Sequence, residues 1–268
     1  MRYSVFAGGK RLRPLLARAA YEAAVEGPAE SPADDGFYEA AAALELLHTY
    51  SLIHDDLPCM DDDALRRGKP TCHVVFGEAV ALLAGDTLQT LAFEVLASRP
   101  AGEVYAARRA EAVAVVARAA GGRGMAGGQA LDLAATGSGA APSRALLHEI
   151  HAKKTGALLA ASVELGAVLA GAGASRRGLL RAYGARLGLL FQIADDLLDA
   201  TASSAALGKT AGKDAAQGKL TFPAVYGLDG TRRELERVLG EARAEAALCG
   251  DPEGLLDALA VYAARRDH

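Results

Sequence analysis

From Phe37 onward the chain keeps returning apolar residues to one helical face. Nowhere does it sustain the alternation of a half-buried strand. Helices are predicted over 37–53, 79–96, 106–120, 143–160, 177–198 and 231–247. Alanine and leucine dominate, aromatic residues make up 5% and tryptophan is absent, so few residues favour strands. The breaks are local. Pro28 and Pro32 lie in 27–35, glycines fill 121–128, 136–142 is small and polar, and 200–218 lacks periodicity. None of these is a long linker. One all-α domain over 1–268 is expected, with 200–218 as a candidate closing flap.

Composition narrows the function classes. Of 268 residues 51% are hydrophobic and 23% charged, a globular balance. A net charge of −4 argues against broad binding to nucleic acid or anionic membrane. Three widely spaced cysteines, Cys59, Cys72 and Cys249, do not make a disulfide framework and suit a reducing cytoplasm. Cys72-His73 lacks the partners that a zinc site needs. Residues 1–14 have no apolar signal core. The stretch 155–175 imitates a membrane span, but Glu164 near its centre and its many small residues predict a buried core helix instead. No membrane span is expected.

Two acidic clusters each follow a long apolar run. Asp55, Asp56, Asp61, Asp62 and Asp63 put five carboxylates into nine residues. Such crowding calls for cations, and oxygen-only donors suit Mg²⁺ or Ca²⁺ better than zinc. Alone, this run reads equally well as a solvated acidic loop. Asp195, Asp196 and Asp199 form the second cluster, with Asp195 and Asp199 four apart on one helical face. Facing each other across a helical cavity, the clusters would hold Mg²⁺ around a diphosphate, because Mg²⁺ takes one or two carboxylates together with water and phosphate oxygens.

Basic residues supply the complement. Lys10, Arg11 and Arg13 follow Gly8-Gly9. Arg66, Arg67 and Lys69 trail the first acids, and Lys153, Lys154, Lys209, Lys213 and Lys219 come later. Arginine offers phosphate a planar fork and lysine a point charge. Gly8-Gly9-Lys10 is not a Walker loop, since the upstream glycine and the following Ser or Thr are missing. Each run alone reads as solvated surface. Their alternation with two carboxylate clusters points to an anionic substrate.

The motifs together resemble the trans-isoprenyl diphosphate synthases over nearly the whole chain. Gly8-Gly9-Lys10-Arg11-Leu12-Arg13-Pro14 resembles the family's first signature. Residues 51–71 resemble the first aspartate-rich motif with its trailing Arg66-Arg67-Gly68-Lys69-Pro70-Thr71. Gly128-Gln129 to Asp132, Lys154-Thr155-Gly156, Phe191-Gln192 to Asp199, Leu207-Gly208-Lys209 and Gly218-Lys219 match the others. The resemblance implies the isoprenoid synthase fold: one bundle of long helices around a deep central cavity, assembled as a homodimer. It implies Mg²⁺ as cofactor, three ions per site, with Mn²⁺ able to substitute. The implied reaction joins isopentenyl diphosphate head-to-tail to an allylic diphosphate, dimethylallyl or geranyl.

Carried over by position, Asp55, Asp61 and Asp195 would ligate the metals, with Asp56 and Asp199 in support. Catalytic duty falls on Asp55, Asp56, Asp61, Arg66, Lys154, Asp195, Asp196 and Lys209. Arg66, Lys154, Thr155, Gln192, Lys209 and Lys219 would face the allylic diphosphate, and Lys10, Arg13, His48 and Arg67 would hold isopentenyl diphosphate. Gln129 and Asp132 would back up the metal site. Family members usually carry more chain before the first motif, so the resemblance implies a missing or shortened N-terminal helix.

Product length depends on what blocks the growing tail. Tyr50 precedes Asp55 by five residues, about 7.5 Å at helical rise. Its ring would form a floor, and with Pro58 and Cys59 inserted in the motif it resembles bacterial farnesyl diphosphate synthases. Geranylgeranyl diphosphate is the alternative product. A class I terpene cyclase would not need the Lys10, Arg13 and Arg67 set. A non-catalytic synthase subunit would be expected to lose one of the acidic motifs.

Overall fold

The computed structural model describes residues 1–25, 36–136, 143–201, 218–251 and 253–266. Lys209, Lys213 and nearly all of the expected flap lie outside the described residues. The fold is an all-α bundle, as the resemblance implied. It opens with α1 (Arg2–Val5), α2 (Leu12–Ala24) and α3 (Phe37–Asp55). A small antiparallel hairpin follows, β1 (Leu65–Arg66) and β2 (Lys69–Pro70). Then come α4 (Cys72–Phe76), α5 (Glu78–Ser98), α6 (Ala106–Ala120), α7 (Met125–Ala135) and α8 (Arg144–His151). A π-helical turn, Ala152–Gly156, joins α8 to α9 (Ala157–Ala170). The chain ends with α10 (Ala174–Thr201), α11 (Phe222–Leu248) and α12 (Leu255–Arg265).

Differences from the sequence expectation have local causes. Helices α2, α7 and α12 were not predicted. Helix α2 starts inside the basic motif, and its Pro14 falls in the first turn, where a missing N–H costs nothing. Helix α7 starts inside the glycine-rich break, because tertiary contacts override weak helix propensity. The predicted helix 143–160 is interrupted by the π-turn and continues to Ala170. Helix α11 starts before the predicted 231, capped by the Thr221 hydroxyl, and bends at Gly227, whose φ is 69°.

Helix α9 runs through the middle of the bundle. Its Leu159, Val163 and Ala167 join one core with Leu16 of α2, Tyr183 and Leu187 of α10, Val238 of α11 and Leu256 of α12. Its Leu158, Leu165 and Leu169 join a second core with Leu44 and Leu47 of α3, Leu88 of α5 and Val116 of α6. An apolar helix buried on both faces needs no polar side, so the stretch that imitated a membrane span is the central core helix. Among the described residues, α5 is the helix long and apolar enough to cross a membrane by length and composition. Its inner side packs on α3, α4 and α6, and its outer side leaves Val80 and Leu83 exposed.

Helices α2 and α9 approach closely at Gly166. A Cβ there would sit 2.0 Å from the Ala17 carbonyl oxygen, a backbone atom that cannot turn aside. Gly166→Ala should therefore force the two central helices apart and cost about 1–3 kcal/mol, the usual range for overfilling a core. Chemical denaturation of the purified variant checks this.

Candidate active site

The two acidic clusters form opposite walls of one cavity. Helix α3 delivers Asp55 and Asp56, and the next residues fold back on that helix end. Asp61 N–H donates to the Asp55 carbonyl at 2.9 Å, and Asp63 N–H to the Asp56 carbonyl at 3.3 Å. This return brings the later carboxylates beside the first pair. Helix α10 supplies Asp195, Asp196 and Asp199 from across the bundle. Together with Asp55, Asp61 and Asp63 they line a cavity of about 400 Å³. Arg66, Arg67, Lys154, Thr155, Gln192 and Lys219 line the same space.

Arg66, Lys154 and Lys219 each reach an acid from another segment, whereas Arg67 donates to the Gly8 carbonyl. Arg66, on the hairpin, places Nε and Nη2 each 2.7 Å from Asp56 Oδ1. Lys219, just before α11, lies 3.3 Å from Asp61. Lys154 reaches Asp132 of α7 at 2.6 Å. Both Lys154 and Thr155 come from the π-turn, whose wider backbone turns consecutive side chains toward the cavity. Gly128 of α7 makes room for that turn, since a Cβ there would meet Lys154 N at 2.2 Å. Thr155 Oγ1 donates to Gln192 Oε1 at 2.9 Å, linking the turn to α10.

Asp196 was expected to act beside Asp195; it lines the cavity, and protein donors hold both of its oxygens. Gln192 Nε2 donates to Oδ1 at 2.7 Å, and Phe222 N–H donates to Oδ2 at 2.8 Å. His151 Nε2 lies 3.4 Å from the same Oδ2. Asp196 thus anchors the start of α11 to α10, while Asp195 faces the cavity more openly.

Arg266 and His151 were missed from the sequence. Arg266 Nη2 reaches Asp195 Oδ1 at 3.0 Å, and its guanidinium lies 3.7 Å above the Phe191 ring. Nothing local could reveal a pair 71 residues apart. His151 stands one helical turn before Lys154, and that spacing was the available signal.

A second group gathers around His48. Arg13 and Arg67 act on it, as do Arg66 and Arg11. Burial first, then these cations, hold the imidazole well below its ordinary pKa, so it is neutral at pH 7. Arg13 Nε is buried without a hydrogen-bond partner. A neutral donor among arginines, with one guanidinium N–H unspent, fits an anion. Lys10 is placed differently from the rest of its expected set. It is exposed, with Nζ 5.7 Å from the Tyr262 ring, and does not line the cavity.

The site continues into a more apolar lobe of about 480 Å³, lined by Tyr50, His54, Met60, Met125, Leu133 and Phe191 among others. Asp55, Lys154, Gln192 and Asp195 border both spaces, so the lobe leads away from the acids. Tyr50 is 8% exposed and its ring lies along this lobe. Gln129 lines the lobe as well, whereas Asp132 is taken up by Lys154.

The donor set fits Mg²⁺. Among the described residues, no three acidic, histidine or cysteine side chains converge on one point. That suits an ion that keeps waters and shares substrate oxygens, and does not suit a closed protein cage. Burial, with Asp61 and Asp56 adding to it, pushes the Asp55 carboxyl up to about 6 despite Lys154 and Arg66. A carboxylate that ionises reluctantly among other carboxylates is one that a divalent cation relieves.

The family model described as polyprenyl synthetase matches residues 1–249. The geranylgeranyl pyrophosphate synthase of Catharanthus roseus chloroplasts is 47% identical, across 100% of this chain and 73% of its own length. The farnesyl diphosphate synthase of Escherichia coli K12 is 46% identical, across 100% of this chain and 88% of its own. A crystal structure of a Helicobacter pylori geranyltransferase, complexed with magnesium and isoprenyl diphosphate, superposes with a TM-score of 0.86 at 33% identity. That match covers 98% of this chain and 84% of the other.

The raised Asp55 pKa has a definite sign for stability. Its folded value lies above the unfolded one, so the metal-free protein loses stability as pH rises from about 4 to about 6. Asp55→Asn should remove that loss. In chelator at pH 7 the variant should be more stable by about 1–3 kcal/mol, and it should be inactive with Mg²⁺. Thermal melts across pH, read beside activity, check both.

Proposed function

The chain belongs to the polyprenyl synthetase family, and from that premise we propose that its product is farnesyl diphosphate. It is a prenyltransferase of isoprenoid biosynthesis that condenses isopentenyl diphosphate with an allylic diphosphate. Its cofactor is Mg²⁺. Three ions per site are our proposal, held by Asp55 and Asp61 on one wall and Asp195 on the other. When bound, Mg²⁺ takes up the charge that develops on the leaving diphosphate.

The chain's own residues do the rest. Arg66, Lys154 and Lys219 line the wall where the allylic diphosphate leaves, and fixed cations there stabilise the departing charge. Thr155 and Gln192 border that diphosphate and the tail lobe alike. Lys209 is proposed for the same diphosphate from outside the described residues. Arg13, His48 and Arg67 hold isopentenyl diphosphate, with His48 donating as a neutral imidazole; Lys10 closes that end at the rim. The C3–C4 double bond of isopentenyl diphosphate attacks the allylic cation, and a proton then leaves to the departing diphosphate. The apolar lobe keeps water from the cation.

The single observation that carries the C15 reading is the Tyr50 ring, buried in the tail lobe one turn and a half before Asp55. A geranylgeranyl product is the second reading, favoured by the name of the Catharanthus relative. Dimethylallyl or geranyl diphosphate should be elongated with isopentenyl diphosphate in the presence of Mg²⁺, and not in chelator. Tyr50→Ala should lengthen the products. No elongation under any of these conditions rejects the reaction, and unchanged lengths reject Tyr50 as the floor.

We also propose a homodimer, in a reducing compartment such as the cytoplasm. Val74, Val75 and Phe76 of α4 continue the exposed apolar side of α5, where Leu83 is 62% exposed. A contiguous apolar face of this kind asks for a partner, and a second copy of α5 would cover it. Native mass measurement should give twice the chain mass. Leu83→Glu should yield monomer.

A further inference from the structure

We infer that His54, seated in a notch made by Gly85, is a positioning residue that sets product length by fixing Tyr50. The inference rests on the reading of Tyr50 as the floor of the tail lobe.

Tyr50 and His54 are four residues apart on α3, so they share one helical face. Their ring centroids are 5.7 Å apart at an interplanar angle of 76°, an edge-on contact. Both rings line the tail lobe. A tyrosine ring with open space beside it can swing aside and admit a longer tail. Here that space is occupied by the imidazole.

The imidazole is itself fixed from α5. His54 Nε2 lies 3.0 Å from the Leu82 carbonyl oxygen, which accepts only, so Nε2 carries the proton and donates. Asp86 Oδ1 lies 3.9 Å from the same nitrogen. Between them is Gly85, inside α5 and buried. A Cβ at Gly85 would come within 2.1 Å of His54 Nε2 and 2.4 Å of its Cδ2. Glycine is a poor helix former, and alanine would serve this helix better were the notch empty. The proposed reaction uses none of Leu82, Gly85 and Asp86. Their common feature is that they seat the His54 ring.

The test is the product distribution from dimethylallyl and isopentenyl diphosphates with Mg²⁺, measured by chromatography for four variants. His54→Ala frees Tyr50 and should raise the C20 to C15 ratio several-fold. Gly85→Ala fills the notch and drives the imidazole toward the lobe it borders, so the C10 share should rise several-fold. The double variant should behave as His54→Ala, because the added methyl then meets no ring. If Gly85→Ala does not fold, His54→Ala decides alone. Wild-type lengths from His54→Ala, while Tyr50→Ala lengthens, would overturn the inference and leave the floor standing. So would a loss of rate at unchanged lengths, which assigns His54 to its neighbour Asp55. A Gly85→Ala effect that persists without His54 also overturns it. Unchanged lengths from Tyr50→Ala reject the floor itself, and this inference with it.

Discussion

Carboxylates on facing walls of one cavity repel each other, and the bundle has to hold them there before any metal arrives. Burial, with Asp61 and Asp56 of its own wall adding to it, pushes the Asp55 carboxyl up to about 6. What makes the arrangement tolerable is where the cations come from. Arg66 ties the hairpin to the end of α3, Lys154 ties the π-turn to α7, Lys219 ties the start of α11 to the first acidic loop, and Arg266 ties the chain's last described residue to α10. The ion pairs that offset the repulsion also join the segments that build the site. In the proposed reaction Lys219 and Arg266, whose partners Asp61 and Asp195 are the proposed metal ligands, would turn to phosphate once Mg²⁺ takes those carboxylates.

Rigidity behind the site is supplied by helices packed at short range. Helix α9 buries both faces, and its close approach to α2 at Gly166 leaves no slack between the two. The π-turn at its head is the one departure from regular helix in this part of the bundle, and it carries Lys154 and Thr155. Behind it, Asp196 spends its charge on Gln192 and on the first N–H of α11. One carboxylate of the acidic motif thus joins two helices while it and its neighbour Asp195 both line the cavity.

The apolar lobe separates two demands on one cavity. At its mouth charge must be gathered, and along its length charge and water must be kept out. Asp55 and Lys154 border both spaces, while Tyr50, Met125 and Leu133 line the lobe alone. Helix α3 serves both ends. Its last residues carry Asp55, the proposed first metal carboxylate, and one turn or more earlier it carries Tyr50, whose ring lines the lobe and is the proposed floor.

The sequence by itself determined the helical class and the chemistry. Six periodic runs and two acid clusters amid basic motifs were readable because helical faces and charge clusters are local patterns. It also marked 155–175 as a core helix, from Glu164 and the small residues. It missed α2, α7 and α12, since proline and glycine hid their starts and only neighbours stabilise them. Only the tertiary structure decided which acids face the cavity, that Gln192 and Phe222 hold both Asp196 oxygens, that Lys10 lies over the Tyr262 ring, and that Arg266 meets Asp195. The reason is distance along the chain. A helix's periodicity is written within a few residues, whereas the partner of a buried charge can lie 71 or 158 residues away and is fixed only when the helices dock.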